Sequence, residues 1–133
     1  METYIRAQMA RFAIEQGARY GGVNNMLAIA LVLRNRVFKG WGDWLEVVST
    51  AAAKCANEAE ATEPANLRSG NVRVLLNRID EVYTRAEAED ITGGALFYVD
   101  PARPVLPWFR AEVLDKAEEH ARVAHIGPVW FYK

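Results

Sequence analysis

The chain has 133 residues, of which 51% are hydrophobic and 25% charged; this is ordinary globular usage and excludes the polar, strongly charged signature of disorder. At this length one domain covering residues 1–133 buries roughly two thirds of the surface its unfolded form exposes, so a core forms without staples. Sixteen Lys plus Arg against seventeen Asp plus Glu leave a net charge of -1, so no bulk positive field exists to hold nucleic acid. With Cys55 the single cysteine and His120 and His125 the two histidines, neither an internal disulfide nor a Cys/His zinc cluster can be assembled, and no residue pattern asks for another cofactor.

The first twenty residues carry Glu2, Arg6, Arg11, Glu15 and Arg19, which interrupts any apolar core of a secretory signal. Residues 26–33 form the longest apolar run, too short to span a bilayer. The expectation is a product without a membrane span, cytoplasmic as synthesised, that reaches any external target by another route.

Across residues 3–16, Ile5, Met9, Phe12 and Ala13 recur at helical spacing while Arg6, Gln8, Arg11 and Glu15 take the other side. This predicts an amphipathic helix opened by Thr3 as N-cap. Gly17, Gly21 and Gly22 then stop it in a tight loop. Asn24 or Asn25 is a candidate cap for a second helix that stays apolar on nearly every face until Arg34 and therefore belongs in the middle of the domain. Asn35 and Arg36 read as its C-terminal capping residues, with Arg36 complementing the helix dipole.

Residues 40–43, Gly-Trp-Gly-Asp, predict a turn with Asp43 capping a third helix that runs through Leu45, Val47, Val48 and an alanine-rich stretch to Ala61. Within it Cys55 reads as a small buried hydrophobe. Residues 62–70 predict a loop, and Asn71 opens a fourth helix with Val74, Leu75, Ile79 and Val82 as its apolar stripe. After Thr92-Gly93-Gly94, residues 96–99 have strand character. A bend with Pro101, Pro104 and Pro107 leads to a predicted helix over 108–122, in which Val113, Leu114 and Ala117 face inward. A second short strand, 129–132, ends the chain and pairs antiparallel with the first. The predicted class is α+β, mainly α, with a small antiparallel two-stranded sheet.

The segment Asp90-Ile91-Thr92-Gly93-Gly94-Ala95-Leu96-Phe97-Tyr98, followed by Pro101 and Trp108, resembles the DPTGGA-x-x-Y signature of SleB-type cell wall hydrolases. His125-Ile126-Gly127-Pro128-Val129-Trp130-Phe131-Tyr132-Lys133 resembles that family's closing IG-x-H-x-FY-R, with Val129 where the family has its last His. Residues 27–37, ending Asn35-Arg36-Val37, are similar to its AVA-x-V-x-x-NRV helix. The family's QFS-like segment has no counterpart; Ala51-Ala52-Ala53-Lys54-Cys55 stands there. Three blocks in order thus cover most of the chain. The resemblance implies a fold related to lysozymes and lytic transglycosylases, cleavage of peptidoglycan glycan strands, and, by analogy within the family, a phage source and delivery to the wall.

Such cleavage needs a carboxylic acid that donates a proton to the leaving oxygen, in a setting that raises its pKa. The resemblance implies a Glu in a GEARGE-like motif where the first helix meets its glycine-rich loop; here that region reads Glu15-Gln16-Gly17-Ala18-Arg19-Tyr20-Gly21-Gly22. Counting forward from residues 9–12 puts Gln16 in the acid's place. Counting back from residues 28–30 puts Gly17 there, with Arg19 matching the motif's Arg. Neither register yields an acid. Positions 5, 9, 12 and 16 share a helix face, which aims Gln16 at the core or cleft, and a glutamine keeps the hydrogen bonds but has no proton to give.

Glu15 is the remaining nearby acid. It either serves as the proton donor or forms a solvated i,i+4 ion pair with Arg11 worth only ~0.3 to 0.5 kcal/mol. Around it, Tyr98 and Tyr132 sit in the two predicted strands, where they share a face and hydrogen-bond a substrate or simply pack. Trp108 is a sugar platform or a core residue, and Thr92 is a turn residue bordering the cleft. His125 reads as a surface histidine before a turn. These readings nominate Glu15 as catalytic and Gln16, Arg19, Asn35, Thr92, Tyr98, Trp108 and Tyr132 as substrate-contacting. Two functions stand open: a muramidase or lytic transglycosylase acting through Glu15, or a catalytically degenerate scaffold that binds glycan strands or a protein partner without cutting.

Overall fold

A computed structural model describes residues 2–17, 20, 22–55, 69–84, 90–102, 105, 107–116 and 119–133. Arg19, Ala61, residues 62–68 of the loop predicted over 62–70, Pro104 and Ala117 lie outside the described residues, as does the side chain of Cys55; residues 69 and 70 of that loop are already helical, so the fourth helix opens at Ser69 and not at Asn71.

The first helix, α1 (Glu2–Gly17), buries Ile5, Met9, Phe12 and Ala13, the stripe its spacing predicts. It already begins at Glu2, so Thr3 lies inside the first turn and is not its cap. α2 (Val23–Lys39) is the axis of the molecule: every residue from Met26 to Arg34 is buried. Its N-cap is Gly22 in extended conformation, with no side-chain cap bond. Neither Asn24 nor Asn25 caps it; Asn25 is drawn inside and buried beside Gly127. The C-terminus closes on Gly40 at φ 95°, where the Gly40 N–H bonds the Val37 carbonyl and the Trp41 N–H the Arg36 carbonyl. This αL closure satisfies the last carbonyls through backbone alone, which leaves the Asn35 and Arg36 side chains for other work.

α3 (Trp44–Cys55) starts as predicted: Asp43 Oδ1 accepts the Glu46 N–H at 2.8 Å while the Asp43 carbonyl accepts the Val47 N–H at 3.0 Å. Asp43→Ala should therefore lower stability by about 1 kcal/mol, read as a lower midpoint in thermal denaturation, whereas Thr3→Ala should leave the midpoint in place. α4 (Ser69–Thr84) buries Leu75, Ile79 and Val82. Val74, expected in that stripe, is 44% exposed, because the stripe follows the 75, 79, 82 row and 74 falls to its flank. α1, α3 and α4 all pack on α2, and Trp44 of α3 meets Tyr83 of α4 with ring centroids 4.8 Å apart.

The sheet has three antiparallel strands, not two, in the order β1 (Phe97–Val99), β3 (Val129–Tyr132), β2 (Arg122–Ile126). The helix expected over 108–122 is only α5 (Pro107–Glu112), followed by a 3-10 turn at Leu114–Lys116, and Arg122 belongs to a strand. The cause is the Gly127-Pro128 turn: Ile126 pairs with Val129, leaving a two-residue connection whose first residue, Gly127, has φ 56°. Positive φ at that place matches the right-handed twist of a hairpin, so residues 122–126 return as a strand beside 129–132.

The sheet separates two apolar layers. Val129 and Phe131 of β3 meet Ala28 and Val32 of α2, while Phe97 of β1 packs with Leu96, Phe109 and Val113 on the α5 side. The molecule is thus mainly helical with a small three-stranded sheet, and among the described residues no helix is long and apolar enough to cross a membrane. The lysozyme-related fold implied by the resemblance is finer than this architecture.

Candidate functional site

The junction of α2 with the sheet is built around one carboxylate. Asp90 opens the Thr92-Gly93-Gly94 bend, in which both glycines take positive φ, 67° and 87°. Asp90 Oδ1 accepts the backbone N–H of Thr92 at 2.9 Å and the Thr92 hydroxyl; Oδ2 accepts the Gly94 N–H at 2.9 Å and Asn35 Nδ2 at 3.0 Å. Arg34 of α2, itself buried, brings its guanidinium to 3.8 Å from Oδ2.

Burial pushes the Asp90 carboxyl up, but the donors from Thr92, Asn35 and Gly94 together outweigh it and hold the group below the usual carboxylate range. Burial also pulls the Arg34 guanidinium down from its ordinary value, opposed by the Asp90 charge. The ionised pair is the stable state of this knot.

Asn35 and Thr92, nominated separately, meet here. Asn35 Nδ2 donates to the Ala95 carbonyl at 2.9 Å as well as to Asp90, with Thr92 Oγ1 a longer contact at 3.3 Å. Thr92 is fully buried, and its Oγ1 also accepts the Ala95 N–H at 3.2 Å. Arg36 Nε donates to the Leu96 carbonyl at 2.8 Å, and its guanidinium lies 5.2 Å from the Trp41 ring centroid. Asn35 and Arg36 therefore act as stitches from α2 to the start of β1 rather than as helix caps. The groups of this knot are buried or half-buried and bond one another, the geometry of a rigid support.

The end of α1 reaches the same strand. Tyr98 donates its hydroxyl to Gln16 Oε1 at 3.2 Å, so two nominated residues 82 positions apart are in contact. Beside them Tyr20 donates to Asp100 Oδ2 at 2.9 Å. Sequence reasoning missed Tyr20 and Asp100 as a pair; they are 80 residues apart and no local pattern joins them.

Glu15 is placed differently. Its carboxylate accepts Arg11 Nε at 2.9 Å, with the two side chains 50% and 71% exposed. That is the i,i+4 ion pair, on the outer face of α1 and one residue round the helix from Gln16. The alternative register, with position 17 holding the acid, meets a steric limit: a Cβ on Gly17 would lie 2.9 Å from both the N and Cα of Met26. No side chain fits there without moving α2.

Trp108 and Tyr132 fall elsewhere. The register pairs Phe97 with Tyr132 and Tyr98 with Phe131, so the two tyrosines occupy opposite faces of the sheet, not one. Adjacent residues in a strand alternate sides, so Tyr98, one residue after the partner of Tyr132, faces the other way. Tyr132 and Trp108 pack with Phe109 on the α5 side, away from Gln16. His125 is exposed just before the Gly127 turn, as read, with its ring 5.6 Å from that of Trp130. The nominated residues thus resolve into a structural knot (Asn35, Thr92), a polar pair (Gln16, Tyr98), an exposed ion-paired acid (Glu15) and a separate aromatic layer (Trp108, Tyr132). Compared with the models of known families, with curated proteins and with solved structures, the chain matches none of them.

Proposed function

We propose that the chain is a peptidoglycan-directed domain of SleB-like type that binds glycan strands without cutting them. The carrying observation is the Gln16 amide at the junction of α1 and β1, hydrogen-bonded to Tyr98. In the family pattern that the sequence resembles, an acid belongs at this place. An amide of the same size retains the hydrogen bonds a sugar needs and lacks the proton that leaving-group departure requires.

The catalytic reading depends on Glu15. Proton donation to a glycosidic oxygen needs a carboxyl within hydrogen-bond reach of the bond and shielded from water. Glu15 is half exposed and accepts a hydrogen bond from Arg11 on the outer face of α1, so it is not shielded from water. It suits the surface of a helix better than the acid's role.

Purified sacculi provide the test. The full chain is expected to co-sediment with them and to leave their turbidity unchanged over hours, and Glu15→Gln should behave as the parent does. Clearing by the parent that disappears in Glu15→Gln would return Glu15 to the catalytic role and overturn the non-cleaving reading. A chain that stays wholly in the supernatant removes the glycan-directed reading itself.

A further inference from the structure

The pairing of β2 with β3 is irregular at one place. From Arg122 to Ala124 β2 advances two residues while β3 advances one, from Tyr132 to Phe131. In a regular strand, residues three apart point to opposite faces; the bulge cancels that alternation. Arg122 therefore stands opposite Tyr132 and His125 opposite Trp130, and these four side chains share one face of the sheet. Ala124, Ile126, Val129 and Phe131 take the other face, against Ala28 and Val32 of α2.

Arg122 and His125 meet on one indole. The Arg122 guanidinium lies 4.0 Å from the Trp130 ring centroid, and the His125 ring stands 5.6 Å from the same indole at an interplanar angle of 61°. Both residues are exposed, and among the described residues neither side chain has a carboxylate or carbonyl partner. A cation–π contact engages no hydrogen-bond acceptor, so the donor fork of the guanidinium remains for a ligand. In either tautomer the imidazole beside it carries a further N–H.

Neighbouring donors without a protein acceptor fit an oxyanion. The fork matches two oxygens of a carboxylate or of a phosphate; a third donor beside it is used only by a group with a third oxygen, which selects the phosphate. Donors on two sides of a phosphate lie roughly 5 to 8 Å apart at ordinary hydrogen-bond lengths, a span open to groups held 4.0 and 5.6 Å from a shared ring. We infer that Arg122 and His125, brought to one face by the bulge in β2, form a binding site for a phosphate with three unesterified oxygens, either the free ion or a monoester. Trp130 is a positioning residue that holds the guanidinium. The site lies on the face of the sheet opposite Tyr98 and is independent of the glycan-directed reading. The plainer role, an exposed cation–π contact that stiffens the hairpin, needs neither His125 nor the fork, and a lysine can fill it.

That difference makes the experiment selective. Inorganic phosphate, methyl phosphate and dimethyl phosphate are titrated, at constant pH and ionic strength, into the full-length parent, Arg122→Lys and His125→Ala, with backbone amide NMR shifts as the readout. The parent is expected to show saturable shifts centred on residues 122–130 with the first two probes, at a Kd of about 1 mM. Dimethyl phosphate, with two free oxygens, should bind about tenfold more weakly. Arg122→Lys should weaken phosphate binding about tenfold and His125→Ala about threefold, with the Arg122→Lys melting midpoint unchanged. The tighter of the first two probes tells the monoester from the free ion. A parent without saturable shifts at the hairpin overturns the site, and so does unaltered affinity in either variant. Dimethyl phosphate bound as tightly as methyl phosphate overturns the three-oxygen assignment.

Discussion

Asp90→Ala is expected to be among the most damaging single substitutions in the described structure, costing about 3 to 5 kcal/mol, the range for leaving a buried charge, here Arg34, without its partner. Four donors converge on this carboxylate: the Thr92 and Gly94 N–H groups, the Thr92 hydroxyl and Asn35 Nδ2. Alanine strips the acceptor from all of them and takes the compensating charge from the buried Arg34. Against a total stability of about 5 to 15 kcal/mol, that loss brings a chain of this size near the unfolding threshold. Urea denaturation of parent and variant gives the difference directly.

The same group sets an acid limit. Because the folded state holds the Asp90 carboxyl below its unfolded value, the unfolded chain binds a proton more readily than the folded one. The Asp90 contribution is then complete above the unfolded carboxylate pKa of about 3.9 and is lost as pH falls from there through the lower folded value. Stability measured between pH 6 and pH 2.5 should fall more steeply in the parent than in Asp90→Asn, which has no proton to take up. Equal slopes in the two would show that the knot does not sense pH.

Gly17→Ala is the second large effect, expected to cost about 2 to 3 kcal/mol by overpacking and to lower the melting midpoint by about 10 °C. The added Cβ would stand 2.9 Å from two backbone atoms of Met26 and 3.1 Å from the Asn25 carbonyl carbon. Backbone in the first turn of a buried helix cannot give way as the end of a side chain can. One residue earlier, Gln16 is only half-buried, and Gln16→Ala should shift the midpoint by less than half as much as Gly17→Ala. A Gly17→Ala protein that melts with the parent would mean α1 and α2 separate easily at this end. The position of Gln16 against Tyr98 would then have no rigid basis.

The residues of α1 through α4 largely declared themselves. Ile5, Met9 and Phe12, and Leu75, Ile79 and Val82, recur at helical spacing, and burial of one stripe per helix follows from that period alone. Asp43 was legible as a cap because capping is local chemistry: a side chain and a backbone N–H three residues on. The unbroken apolar run from Met26 to Leu33 announced a central helix for the same reason, since no face of it tolerates water.

What needed the tertiary structure was each choice between partners distant in the chain. Nothing local says that Asn35 and Arg36 leave the helix end to a glycine and reach 55 to 60 residues onward to Asp90, Ala95 and Leu96. A strand register is a relation between two segments, and pairing Tyr132 with Phe97 rather than with Tyr98 puts the two tyrosines on opposite faces. The helical pattern read over 108–122 gave no strand after it, and residues 122–126 form one because the Gly127 turn folds them back on a neighbour whose backbone groups need pairing. The pairing of Gln16 with Tyr98 belongs to the same class. Helical period supplied the direction of Gln16, but only the packing of α1 on α2, close enough to forbid a Cβ at Gly17, fixed what it would meet.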